Sequence, residues 1–162
     1  MLHQDDRIDR FKDEYAFLSN FYPLPQPIPY GALFTDKQLQ SYSFTTAEHA
    51  YVAAKTTVLK ERALITTLPH PGQAKIYGRK ITLRDNWDQV KRSYMWEILS
   101  LKFKLNPSLK AQLLETGDAS LVEGNWHRDR YWGVSIHDGQ GENHLGKLLM
   151  ELREYFKDMG DD

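Results

Sequence analysis

WDQVKRSYMWEILSLKFKLNP, residues 87–107, decides the class of fold. Val90, Tyr94, Ile98, Leu101 and Leu105 recur at spacings of three and four. That interval keeps side chains on one face of an α-helix, so the spacing predicts a long core-facing helix over about 87–104. The Asn106-Pro107 pair then offers a cap and a proline at the first helical position, where its missing N–H costs nothing, and predicts a helix over 107–116. Outward from these two, helical patterns cover 46–58, 61–67 and 71–78, and one over 144–158 closes the chain. Upstream the pattern changes. YAFLSNFYPLPQPIPYGALF (15–34) carries four prolines, which break helices and remove ladder donors, so short strands and ordered loops are expected there. QLQSYSF (38–44) and ASLVEGN (119–125) read as strands, and IHDGQGEN (136–143) as a glycine-rich loop. The expected class is α+β, helix-rich, with a few short strands packed against several helices in a single domain, 1–162.

Composition narrows the function classes. The 162 residues are 41% apolar, enough for one real core. Lysine and arginine total 21 against 22 acidic residues, so no large net field draws the chain to nucleic acid or an anionic membrane. With no cysteine, thiolate chemistry, disulfides and cysteine-ligated zinc are excluded. The N-terminal MLHQDDRIDRF is too polar and acidic for a secretory signal, and no apolar run approaches a membrane span, so a soluble cytoplasmic protein is expected. Six histidines lack H-x-x-x-H or H-E-x-x-H spacing, and there is no G-x-S-x-G or Walker-type loop. No metal and no cofactor are expected.

Three clusters carry candidate chemistry. In FTTAEHAYVAAKTT (44–57), Thr45 and Glu48 have capping-box spacing, which would make Glu48 a structural group. The same helix puts Glu48, Tyr51, Val52 and Lys55 on one face, where a carboxylate and an amine two turns apart can converge on one substrate. LVEGNWHRDRYWG (121–133) sets Glu123 and Asp129 among Trp126 and Trp132. It is either an aromatic plug of the core or a site for a ring-shaped ligand. YGRKITLRDNWDQVK (77–91) has four basic groups. Arg79 or Lys80 could hold a phosphate, or Gly78 could be a simple C-cap with favourable positive charge beside it.

Taken in order, FLSNFYP (17–23), EHAYVAAK (48–55), GRKITLRDNWDQVK (78–91), KFKLNPSLKAQLLETGD (102–118), LVEGNWHRDRYWG and GENHLGKLLMELR (141–153) resemble the NADAR family of YbiA-like domains. The resemblance spans nearly the whole chain. It implies an N-glycosidase cleaving the bond between ribose and an exocyclic amine. One known substrate type is a phosphorylated ribosylamino-pyrimidine of riboflavin metabolism, which releases ribose 5-phosphate. The other is ADP-ribose on the exocyclic amine of guanine in DNA or RNA. A third reading is a silent ADP-ribose or NAD-binding module, which the presence of Glu48, Lys55 and Asp129 disfavours. One departure is Val52, where the family commonly has glutamine.

The resemblance also implies roles. Lys55 would form a Schiff base with the sugar's first carbon after ring opening, with Glu48 and Asp129 moving protons. A closed-ring route with a carboxylate activating water is the alternative. Ser19, Asn20 and Phe21 would line the substrate pocket and Arg79 would bind phosphate. Trp87 and Trp132 would be walls, with Glu123, Gly133 and Asn143 as further substrate-binding positions.

Overall fold

The computed structural model describes residues 6–160. Six short strands occur in this span: β1 (Arg7–Ile8), β2 (Ile28–Pro29), β3 (Ser43–Phe44), β4 (Ser120–Leu121), β5 (Gly124–Asn125) and β6 (Val134–Ser135). The α-helices are α1 (Ala47–Ala54), α2 (Leu59–Thr67), α3 (Pro71–Tyr77), α4 (Trp87–Leu105), α5 (Pro107–Glu115) and α6 (His144–Met159). Two 3-10 helices, Asp13–Leu18 and Tyr30–Ala32, occupy the proline-rich region. The class is α+β and helix-rich, as the periodicity predicts. Every strand is two residues long, so QLQSYSF contributes only its last two residues, and ASLVEGN divides between β4 and β5. The polar N-terminal residues 1–5, part of the reading against a signal segment, lie outside the described residues.

The chain forms two compact units, one from Asn20 to Asn106 and one from residues up to Ser19 with those from Pro107 onward. In the Asn20–Asn106 unit, α1 is buried along its whole length, which explains its alanines: Ala47, Ala50, Ala53 and Ala54 let neighbouring backbone approach closely. Thr46, not Thr45, is its N-cap, accepting the His49 N–H at 3.2 Å. At the other end, buried Arg62 donates from Nε to the carbonyls of Ala53 (3.2 Å) and Thr56 (2.9 Å). The Ala53 carbonyl also accepts the Thr56 N–H at 3.3 Å, so Arg62 adds a second donor there and satisfies the Thr56 carbonyl just past the helix end, where a cation also suits the helix dipole. Its guanidinium lies 3.8 Å from the Phe34 ring centroid, and Nη1 reaches the Tyr30 hydroxyl (3.2 Å) and Asp36 (3.7 Å). Tyr30 in turn donates to Asp36.

On α4 the buried face runs through Trp87, Met95, Ile98, Leu99, Lys102 and Phe103, with Val90, Tyr94, Leu101 and Leu105 only half-buried. The predicted stripe shares Ile98 with that face but is rotated from it, because the lysine stem and Met95 fill core positions that a count of strongly apolar residues passes over. Asn106 spends its amide on Gln26, accepting its N–H (2.7 Å) and donating to its carbonyl (3.1 Å), and on the Lys102 carbonyl (2.8 Å). It holds the proline-rich segment and ends α4 rather than capping α5.

In the other unit β1 and β4 pair in parallel, Arg7 with Ser120 and Ile8 with Leu121, and β5 pairs in parallel with β6. Leu145, Leu148, Leu149, Leu152 and Phe156 of α6 are buried at helical spacing. Buried Arg153 donates to Thr116 Oγ1 (2.8 Å) and the Ala119 carbonyl (2.9 Å), tying α6 to the turn after α5.

Candidate functional site

In the Asn20–Asn106 unit the candidate chemistry is arranged along α1. Because Thr46 and His49 do the capping, Glu48 is the second residue of the helix and its carboxylate is not part of a capping box. Its backbone N–H donates to the Asn20 carbonyl at 3.0 Å. That bond pins Asn20 to the start of α1 and brings it together with Glu48. Asn20 Nδ2 lies 3.6 Å from Met95 Sδ, and its Oδ1 is buried without a hydrogen-bond partner. A buried amide oxygen left in that state is costly, and a ligand N–H would relieve it.

Lys55 sits at the C-cap of α1 with αR geometry, φ −65° and ψ −21°, so it keeps helical register with Glu48. Seven residues at 1.5 Å rise separate their backbones by about 10 Å along the axis. Lys55 Nζ lies 5.1 Å from the Tyr51 ring centroid, and Tyr51 is 5.4 Å from Trp87, whose ring stacks with Tyr94 at 6.4 Å. Lys55, Tyr51, Trp87 and Tyr94 thus form an amine beside a continuous aromatic wall. Trp87 is also core, at 6% exposure. Phe21 is exposed, with Lys75 Nζ 5.8 Å from its ring.

Arg79 lies exposed just past α3, its backbone N–H returning to Ile76. Gly78 beside it has φ −59°, so glycine is not there for a left-handed cap. A Cβ at Gly78 would lie 3.2 Å from both Val52 methyls, so glycine allows α1 and α3 to close. Val52, where the family commonly has glutamine, is 1% exposed and packs there.

In the other unit, Asn125 organises the 121–133 loop. Its Oδ1 accepts the Asp129 N–H at 2.8 Å and its Nδ2 donates to the Asp129 carbonyl at 3.0 Å. Asp129 Oδ1 accepts the N–H groups of Tyr131 (3.1 Å) and Trp132 (2.9 Å), an Asx-type turn that leaves Oδ2 outside these bonds. Trp132, half-buried, packs edge-on against Tyr131 at 4.8 Å. Trp126 is 59% exposed and so is no core plug. Asn143, at φ 54°, precedes α6 without capping it through its side chain. It accepts the Glu123 N–H (2.9 Å) and donates to the Leu121 carbonyl (3.0 Å), standing in for a strand partner. Gly133 is buried where any Cβ would collide with the Glu123 carbonyl. Gly133 and Asn143 therefore have visible structural duties, and Glu123 is half-buried beside them. Ser19 ends the first 3-10 helix, its N–H bonded to the Ala16 carbonyl at 2.9 Å.

Asn20, Phe21, Glu48, Lys55, Arg79 and Trp87 thus belong to one unit, and Ser19, Glu123, Asp129, Trp132, Gly133 and Asn143 to the other. Sequence reasoning missed Arg62, whose KER context reads as solvated helix surface, and Arg84, counted only as one basic group among four. Among the described residues no group of three or more His, Asp or Glu could hold a metal ion, and no helix is long and apolar enough to cross a membrane.

The NADAR domain model matches residues 8–157. The chain belongs to the NADAR domain family. N-glycosidase YbiA of Escherichia coli (strain K12) is 38% identical over 144 residues, covering 88% of this chain and 82% of that protein. N-glycosidase Npun_R5314 of Nostoc punctiforme is 36% identical over 146 residues, covering 86% and 92%. A riboflavin biosynthesis protein of Vibrio vulnificus, VVA0006, is 31% identical over 88% of this chain, which spans only 36% of that longer protein. The NMR structure of E. coli YbiA matches with a TM-score of 0.78 at 34% identity, covering 99% of this chain and 92% of that one. NADAR membership accounts for the motif order across both units.

Proposed function

We propose that this NADAR protein is an N-glycosidase that hydrolyses the bond between ribose and an exocyclic, conjugated amine. The preferred substrate is a phosphorylated ribosylamino-pyrimidine of the riboflavin pathway, and the products are ribose 5-phosphate and the aminopyrimidine. Relatives named as N-glycosidases and as riboflavin biosynthesis proteins support the substrate class. The observation that carries the reading is the arrangement on α1: the carboxylate of Glu48, not used as a cap, and the amine of Lys55 share one buried helix beside an aromatic wall.

The nitrogen lone pair of the glycosylamine expels the ring oxygen, which takes a proton, leaving an open-chain imine at carbon 1. Lys55 Nζ adds to that carbon; the bond to the exocyclic nitrogen breaks as the nitrogen takes a proton and departs as a neutral amine. Water then adds to the lysine imine, regenerating the amine and releasing the sugar aldehyde. Glu48 takes protons from Nζ and from the attacking water. Glu48 returns the Nζ proton to the departing amine, and Asn20 Oδ1 accepts an N–H of the base. The same chemistry would serve ADP-ribose on guanine. There Trp126, exposed with the Arg10 guanidinium 5.9 Å from its ring, offers a stacking platform for a nucleic-acid base. A phosphorylated, membrane-impermeant substrate fits a cytoplasmic enzyme.

The test is to incubate purified protein separately with the riboflavin intermediate and with DNA carrying ADP-ribosylated guanine. Release of ribose 5-phosphate from the first is expected. Turnover of the DNA alone would favour the second reading, and turnover of neither would remove both.

A further inference from the structure

Arg84 stands out among the arginines of the Asn20–Asn106 unit. Its backbone N–H donates to the Lys55 carbonyl at 2.8 Å, and its own carbonyl accepts the Trp87 N–H at 3.2 Å. It therefore links the end of α1 to the start of α4. Its guanidinium lies over Tyr94, with Cζ 5.0 Å from the ring centroid and Nη1 3.3 Å from the hydroxyl. Nε is buried and has no hydrogen-bond partner. Arg62, by comparison, meets Asp36 and two carbonyls, whereas Arg84 makes no ion pair with a described residue.

A buried guanidinium N–H without an acceptor costs free energy, and the cost is removed by an oxyanion that presents oxygens to the planar fork. Tyr94 holds that fork in one orientation and belongs to the same aromatic wall as Trp87 and Tyr51, which leads to Lys55 Nζ. At the Glu48 end of α1 the orphan atom is an acceptor, Asn20 Oδ1; at the Lys55 end it is a donor, Arg84 Nε. A ligand with N–H groups at one end and an anion at the other would satisfy both.

We propose that Arg84, rather than Arg79, is the phosphate-contact residue, so that the sugar phosphate lies at the Lys55 end of α1 and the base towards Asn20. This rests on the functional reading above and deepens it. Arg79 is exposed and has no buried N–H that a ligand would satisfy.

The experiment is calorimetric titration of the full-length protein, Arg84→Ala, Arg84→Lys and Arg79→Ala with ribose 5-phosphate and with ribose. Wild type and Arg79→Ala are expected to prefer the phosphorylated sugar by tenfold or more. Arg84→Ala is expected to lose that preference roughly ten- to hundredfold. Arg84→Lys, which keeps the charge and loses the fork, should fall between. An Arg84→Ala protein that keeps the preference, or a wild type that has none, overturns the assignment. Should Arg84→Ala not fold, Arg84→Lys decides, an undiminished preference overturning the assignment and a reduced one supporting it. Turnover is assayed separately: failure on every glycosylamine sinks the functional reading and leaves the binding result standing. Normal turnover without an Arg84-dependent preference sinks only the phosphate contact.

Discussion

Replacing Lys55 by arginine keeps a cation at the end of α1 but removes the primary amine proposed to form an imine with a sugar aldehyde. Lys55→Arg should be nearly inactive while still binding substrate. Borohydride added during wild-type turnover should leave the sugar fragment on Lys55, detected by peptide mass. An active variant with no trapped adduct would replace the imine route with carboxylate-assisted attack of water. Glu48→Gln separates chemistry from stability more cleanly than Thr45 spacing suggests. Since Thr46 and His49 make the cap, the variant should lose roughly 100-fold or more in kcat with little change in melting temperature. A large loss of stability with activity retained would return Glu48 to a structural role. Two adjacent threonines explain why the Thr45–Glu48 spacing misplaced the cap by one residue: either could begin the helix, and only the backbone distinguishes them. The orphan atoms of Asn20 and Arg84 were not legible at all, because whether an amide or guanidinium finds a partner is settled by residues far away in sequence.

The helix α1 is held from both ends, and each hold predicts a measurable dependence. At its start, His49 donates from Nε2 to the Leu68 carbonyl at 2.8 Å. Since a carbonyl only accepts, Nδ1 is the acceptor for the Thr46 hydroxyl at 2.7 Å. Burial pushes the His49 pKa down, with the Leu68 bond opposing it. The unfolded chain therefore binds the proton first as pH falls below about 6.5, and stability is lost in that direction. Denaturant melts at pH 7.5, 6.5 and 5.5 should show the decline, and His49→Gln should flatten that part of it. At the other end, Arg62→Met strands the Thr56 carbonyl and takes the cation away from half-buried Asp36. A loss of about 1–3 kcal/mol is expected, a fall of roughly 2–10 °C in melting temperature. An unchanged melt would mean the carbonyl finds water. The helices were readable because all but α3 exceed two turns and because prolines open α3 and α5. Two-residue strands such as β1 and β6 have no periodicity to read. On α4, Lys102 at 0% exposure shows how a charged residue hides a core position from a hydropathy count.

For the molecule as a whole, balanced charge, 21 basic against 22 acidic residues, predicts that turnover of the small phosphorylated substrate falls only modestly between 50 and 200 mM salt. A nucleic-acid substrate bound through many phosphates would lose orders of magnitude in affinity. A steep slope on the small substrate would contradict the reading of one or two charge contacts. Identity of fold class and motif order was legible from the chain, since both follow from patterns that run its length. The division of the candidate residues between two compact units was not, because unit membership depends on which ends of the chain meet.

The pairing of Ile8 with Leu121 has a consequence during biosynthesis. A ribosome adding about 5–20 residues per second needs roughly 5–20 s to travel from the end of the first segment to β4. Through that interval Ile8, Phe11, Phe17 and Leu18, all buried in the finished fold, wait without the later residues of their unit while residues 20–106 are still being added. The nascent stretch 8–18 is thus a sticky, waiting segment, and chaperone engagement should concentrate on it until β4 and α6 have left the exit tunnel.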